Sequence, residues 1–326
     1  MKMTDAVYAA MLLICGAVLC STPAAADSVS NDNDITDPSF LLTRHQASEI
    51  TAYSYALENG DGYNYLGGRD SSFEEKTQTI TQYLSYAFTD RLNVTISGAY
   101  EPTSRTKTTS ISGATTDRND SGFADPTLQA KYRVLTQGAS SMNWDIQAAY
   151  SPNVFDAESA TNGRDGTVAR GSQAEALSSY LSHVFNKLTL QLNTQVTHYG
   201  AQESESLANG TLNDLDPYWS YLVGINTQRR FSDRFSINAN VNYTFYDSEH
   251  DANRATQIVY TTQPDNMGDF GLAMNYEFIP GRLSGSLLYD YFIYSDATQK
   301  YLNVTSDTTT KNQDKSQFGA KLKYIF

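Results

Sequence analysis

Apolar and polar residues alternate with a period of two over stretches of ten or more residues. That rhythm confines the chain to extended strands with two unlike faces. Over Phe235–Tyr246, Phe235, Ile237, Ala239, Val241, Tyr243 and Phe245 share one face, and Ser236, Asn238, Asn240, Asn242, Thr244 and Tyr246 the other. A helix would scatter the same apolar positions around its circumference. Leu92, Val94, Ile96 and Tyr100 repeat the pattern against Asn93, Thr95, Ser97 and Glu101, as do Leu128, Ala130, Tyr132 and Val134 against Thr127, Gln129, Lys131 and Arg133. The rhythm predicts twelve strands, at about 46–57, 74–88, 92–103, 123–136, 142–153, 172–185, 188–199, 217–230, 234–246, 268–279, 282–295 and 314–326. Ten or fourteen strands stay open, because the faces of 46–57 and 172–185 are poorly separated.

The polar faces decide what kind of sheet this is. They are dominated by Ser, Thr, Asn and Gln, which suit a wetted lumen; the outer face of a soluble sandwich would be rich in Lys and Glu. Strands of about twelve residues also exceed the five or six usual in globular sheets. A mean hydropathy of -0.46 does not argue against a membrane, since only alternate residues of a barrel strand meet lipid. No stretch after residue 26 approaches the roughly 20 apolar residues of a spanning helix. The 23 tyrosines and 14 phenylalanines suit aromatic girdles at two membrane interfaces, with Trp144 and Trp219 near strand starts. The predicted architecture is all-β: a transmembrane antiparallel up-and-down β-barrel.

Connections alternate between short and long. Residues 89–91, 137–141, 186–187, 232–233 and 280–281 make short turns, whereas 58–73, 104–122, 154–171, 200–216, 247–267 and 296–313 are long and rich in Asp, Asn, Gly, Ser and Thr. Five turns and six loops place both chain ends on the turn side. In a bacterial outer membrane that side is the periplasm.

The first 26 residues read as a secretory signal: Lys2, an apolar run from Ala6 to Cys20, and Ala24-Ala25-Ala26 before Asp27. Leu19 stands where lipoprotein processing at Cys20 would need a small residue. Removing residues 1–26 takes one lysine and one aspartate, so 22 basic minus 35 acidic residues leaves the charge at -13. It also takes both cysteines, which suits passage through an oxidising periplasm. The acidic balance excludes nucleic acid as a partner. Residues 27–45 lack periodicity and read as a tail or a short plug entering the barrel, with the barrel itself over 46–326.

The segment Gly122-Phe123-Ala124-Asp125-Pro126-Thr127-Leu128-Gln129-Ala130-Lys131-Tyr132-Arg133-Val134-Leu135 is the most distinctive. It resembles the Gly-x-Gly-Asp-x-x-Leu-x-x-Lys-Tyr-Arg-Leu-Leu strand of the outer-membrane family named after the MetA pathway of phenol degradation. Asp125, Leu128, Lys131, Tyr132, Arg133 and Leu135 match; Ala124 replaces a glycine and Val134 a leucine. The likeness covers roughly residues 83–135. It implies a transporter or channel whose substrate is poorly defined, the phenol label being a name and not an activity.

Asp125, Lys131 and Arg133 fall on the polar face, the last two low in the lumen, level with Lys321 and Lys323. Asp145 and Glu277 lie where they would pair with them. These seven are the candidate pore-lining residues. They form either a charged constriction or cross-strand ion pairs that fill a narrow lumen and fix register; the mixture of signs favours the second. At the chain end, Gly319, Leu322, Tyr324 and Phe326 resemble the signature read by the barrel-assembly machinery.

No cofactor, metal site or catalytic group is expected. The only tempting general base is His198, near Tyr199, with no nucleophile at matching spacing. Glu203, Glu205, Asp214, Asp216, Asp247, Glu249 and Asp251 read as solvated loop residues more readily than as a Ca²⁺ or Mg²⁺ bridge to lipopolysaccharide. Three functions follow, in order: a channel or transporter for small solutes, hydrophobic or aromatic ones if the family name has meaning; a surface-interaction barrel with an occluded lumen; and, remotely, a hydrolase. The expected partners are outer-membrane lipid and lipopolysaccharide, the assembly machinery and a small-molecule solute. Inward Tyr246, Phe292 and Tyr294 are compatible with an aromatic solute.

Overall fold

The computed structural model describes residues 40–138, 142–159, 165–206, 211–247, 249–253, 258–263, 266–301 and 308–326. The expected signal, residues 1–26, and residues 27–39 of the expected tail lie outside them. The described chain is strand and turn, with no helix long and apolar enough to cross a membrane.

Twelve antiparallel strands close into a barrel. They are β1 (Ala47–Tyr63), β2 (Arg69–Thr89), β3 (Leu92–Ser110), β4 (Thr115–Phe123 and Thr127–Leu135), β5 (Asn143–Ser151) and β6 (Ala174–Phe185). Then come β7 (Leu188–Tyr199, Gln202–Ser206), β8 (Thr211–Leu215, Tyr218–Arg230), β9 (Phe235–Tyr246, Glu249–Asn253), β10 (Ile258–Gln263, Met267–Ile279), β11 (Leu283–Tyr294, Ala297–Tyr301) and β12 (Thr308–Ile325). Each pairs with its neighbours in sequence, and β12 returns to β1 from Ser48↔Ile325 to Tyr63↔Thr309. Closure leaves no edge strand to be capped.

The predicted strands stand, but they are longer than the alternation indicated. Residues 58–73, expected to form a loop, are mostly paired: β1 runs to Tyr63 and β2 starts at Arg69. Likewise 104–122 is a hairpin that turns at residues 111–114. Above the lipid both strand faces meet water, so backbone pairing continues after the apolar alternation has ended. The stretch 154–171 does keep a loop character; among its described residues only Glu158–Ser159 is strand, pairing in parallel with β7.

The turns at the end carrying the termini are tight, for local reasons. The Thr89 hydroxyl accepts the N–H groups of Arg91 (3.2 Å) and Leu92 (3.0 Å), and Ser232 Oγ accepts those of Arg234 (3.3 Å) and Phe235 (3.1 Å). Gly281, at φ 70°, supplies the left-handed residue of the β10–β11 turn.

Burial is inverted relative to a soluble domain. The largest fully buried side chains are Gln228, Thr189 and Asp145, whereas Leu84 (54%), Leu128 (52%), Leu177 (57%), Leu287 (60%) and Phe318 (56%) are exposed. Leaving so many large apolar groups facing water would oppose folding at about 1.5–3 kcal/mol each, so the outer wall is built for an apolar medium. Aromatic pairs cluster near the strand ends. Tyr86–Phe88 (4.9 Å), Tyr276–Phe278 (5.3 Å) and Tyr324–Phe326 (4.9 Å) ring the terminal end, and Tyr100–Phe123 (5.0 Å), His198–Trp219 (4.7 Å) and Tyr243–Phe245 (4.5 Å) the loop end. These are the two girdles the aromatic content implied.

Candidate functional site: the lumen wall

Every second residue of each strand faces the lumen, and cross-strand register joins these residues into rows. One row runs Arg133–Asp145–Tyr180–Asn193–Gly224–Asn242–Asp269–Phe292–Lys315–Glu58–Glu75, each residue directly opposite the next. Because the strands tilt, the row climbs. It starts two residues from the terminal end of β4, at Leu135, and finishes fourteen residues from the same end of β2, at Thr89. A mostly polar spiral, interrupted at Gly224 and Phe292, therefore climbs the lumen wall.

At its lower end the row is a charge cluster. Asp145 is 1% exposed and takes two hydrogen bonds from Arg133, at 2.7 and 3.0 Å, with Lys131 Nζ at 3.3 Å. Lys131 also lies 4.9 Å from the centre of the Tyr180 ring. Lys131 and Arg133 are thus brought together on Asp145. The other candidates are dispersed. Glu277, on β10, accepts the Gly281 N–H at 3.0 Å and so braces a turn. Lys323 covers the ring of Phe40 at 4.5 Å, and Lys321 lies on the wall within electrostatic reach of Asp290.

Asp125 belongs to neither group. Pro126 lacks an N–H and interrupts β4 between Phe123 and Thr127. In that gap the Asp125 carboxylate accepts the N–H groups of Val154 (2.8 Å), Phe155 (3.1 Å) and Arg170 (3.3 Å), tying both ends of the long β5–β6 loop to the wall.

Midway up, the wall is made of amides. Asp269 receives Asn240 Nδ2 at 2.9 Å and Asn242 Nδ2 at 2.9 and 3.1 Å, and Asn193 donates to Asn242 at 3.2 Å. Asn226 donates to Gln191 at 3.1 Å and Asn275 to Asn238 at 2.9 Å. Higher still, Glu58 pairs with Lys315 at 3.5 Å and accepts Gln313 Nε2 at 2.6 Å. Sequence reasoning placed Asn238, Asn240, Asn242 and Asp269 on polar faces without singling them out. Only register reveals that they form one belt.

The terminal mouth holds an apolar cluster. Residues 40–42 fold inward, burying Leu42 against Ala87 and Ile325 with Phe40 packed beside them, and Leu41 is buried as well. Arg44 N–H donates to Asp90 Oδ1 at 2.8 Å and His45 N–H to the Ala87 carbonyl at 2.8 Å, which fix the segment. A cavity of about 140 Å³ remains between it and Ser85, Gln129, Lys131 and Lys323.

Of the residues expected to form the assembly signal, Leu322, Tyr324 and Phe326 face outward and Gly319 inward, where a Cβ would lie 3.0 Å from the Tyr53 carbonyl. His198 packs at a tilt against Trp219 in the outer girdle. The side chains of Glu203, Glu205, Asp214, Glu249 and Asp251 lie outside the described set.

Residues 64–277 match the family described as Membrane bound beta barrel domain (DUF5777). No curated protein matches by sequence. Among solved structures, the chain is similar to the COG4313 outer membrane channel from Pseudomonas putida F1, at 12% identity and a TM-score of 0.57, over 88% of this chain and 97% of that one. It is also similar to the transport unit of the autotransporter AIDA-I from Escherichia coli, at 12% identity and a TM-score of 0.53, over 98% of both chains. At such identities the likeness establishes the fold.

Proposed function

Because the chain belongs to the membrane-bound β-barrel domain family, we propose that it is a bacterial outer-membrane channel for small solutes, with both termini in the periplasm. The observation that carries this reading is the polar spiral. A barrel needing only mechanical closure has no use for a row of mostly polar side chains climbing the lumen wall. The amide belt favours solutes rich in hydrogen-bond donors. Aromatic compounds, which the likeness to the phenol-pathway family suggests, find some support where Phe292 and Tyr294 face inward near the loop end.

The seven charged candidates divide by task under this reading. Lys131, Arg133, Asp145, Lys321 and Lys323 line the lower lumen, Glu277 braces a turn and Asp125 anchors a loop. Phe40–Leu42 narrows the periplasmic mouth as a short plug. Lipid and lipopolysaccharide surround the outer wall, and Gly319, Leu322, Tyr324 and Phe326 serve recognition by the barrel-assembly machinery.

Planar-bilayer recording of the purified chain is the direct test. Steady conductance is expected. Persistent silence from protein that runs faster unboiled than boiled on a gel would instead favour an occluded surface barrel. The inward fold of residues 40–42 is the specific observation behind that second reading.

A further inference from the structure

Two inward positions of the amide belt carry no side chain. Gly224 on β8 stands directly between Asn193 and Asn242, and Gly271 on β10 directly between Asn240 and Asp290. A Cβ at Gly224 would collide with Asn242 Oδ1 and come within 2.8 Å of Asn193 Oδ1. At Gly271 it would collide with both Asn240 Oδ1 and Asp290 Oδ1. Four polar side chains therefore lie flat, folded sideways over the two glycines along the wall instead of rising toward the barrel axis. The two rows are adjacent, since Asn240 and Asn242 are successive inward residues of β9. Gly224 is also central in its strand, six residues from Tyr218 and six from Arg230.

We propose that Gly224 and Gly271 set the bore of the lumen at mid-height, as the floor of a recess that accepts hydrogen-bond donors from a passing solute. The reasoning rests on the channel reading. Any side chain at either glycine occupies the space its flanking residues use, so those residues must stand up into the lumen. The recess presents an acceptor: the partly buried Asp290 carboxylate receives no hydrogen bond from any described residue. It needs donors, which water, hydroxyl or ammonium groups carry. The solute class is small and donor-rich: polyols or organic ammonium ions.

Single-channel recording of the full chain tests this. Gly271→Val is expected to lower conductance about twofold or more. Adding Asn240→Ala and Asp290→Ala, which remove the side chains that valine displaces, is expected to restore it. Gly98→Val is the control, because Gly98 faces outward with nothing within 4 Å of its missing Cβ. Asp290→Asn is expected to shift the reversal potential in a salt gradient away from cations. A folded Gly271→Val barrel, verified by its gel-mobility shift, that conducts like the parent overturns the inference and leaves the channel reading intact. A silent parent removes both, and the parent trace alone distinguishes the two failures.

Discussion

Asp145 is enclosed with two cations, so its removal leaves Arg133 and Lys131 with uncompensated charge in a confined space. Breaking one side of a buried ion pair typically costs about 3–5 kcal/mol. Arg133 is still 12% exposed, so water in the lumen moderates the loss. Asp145→Ala should lower stability to urea by about 2–3 kcal/mol, and the further change Arg133→Met should recover part of it. Equal destabilisation by the single and double variants would show that the pair does no structural work. The contrast between neighbours is sharper still. Leu192 faces lipid and Asn193 the lumen, so Leu192→Arg should cost about 2–4 kcal/mol while Asn193→Arg costs far less. Parallel denaturant titrations in one detergent give the comparison, and similar losses would contradict the assigned faces.

At the scale of elements, the β4 break and the loop it holds are one unit. Asp125 alone accepts three N–H groups from the β5–β6 loop. Asp125→Ala should therefore free that loop for limited proteolysis between residues 152 and 171 while the barrel keeps its heat-dependent gel mobility. Protection equal to the parent's would mean the loop is held by something else. The inward N-terminal segment makes a separate prediction. Leu42 is 3% exposed against Ala87 and Ile325. Leu42→Asp sets a charge in that apolar contact, which should release residues 40–46 and raise single-channel conductance. Unchanged conductance would show that the segment does not limit flow. Hairpins make a different point about sequence. The alternation located every strand core but understated β1, β2, β3 and β12, whose outer ends are wet on both faces and so carry no period-two signal. Pairing there depends on backbone hydrogen bonds that any polar residue permits.

For the molecule as a whole, an exterior of leucine and phenylalanine and an interior of amides and ion pairs fix the environment in which it is stable. Mean hydropathy hides this, because the two faces cancel when averaged along the chain. What the sequence by itself determined is therefore the class of object: an antiparallel barrel of about twelve strands, alternation of faces, aromatic girdles, and tight and long ends. Each depends on local spacing, which a linear text records. Some of the site was legible in the same way: Lys131, Arg133 and Asp145 could be placed inward and low from strand parity and direction alone. Their convergence on Asp145, the spiral from Arg133 to Glu75, the recesses at Gly224 and Gly271 and the loop anchored by Asp125 were decided only by the tertiary structure. Each joins residues on different strands. Which residue faces which is set by register and barrel shear, and these follow from closing all twelve strands at once.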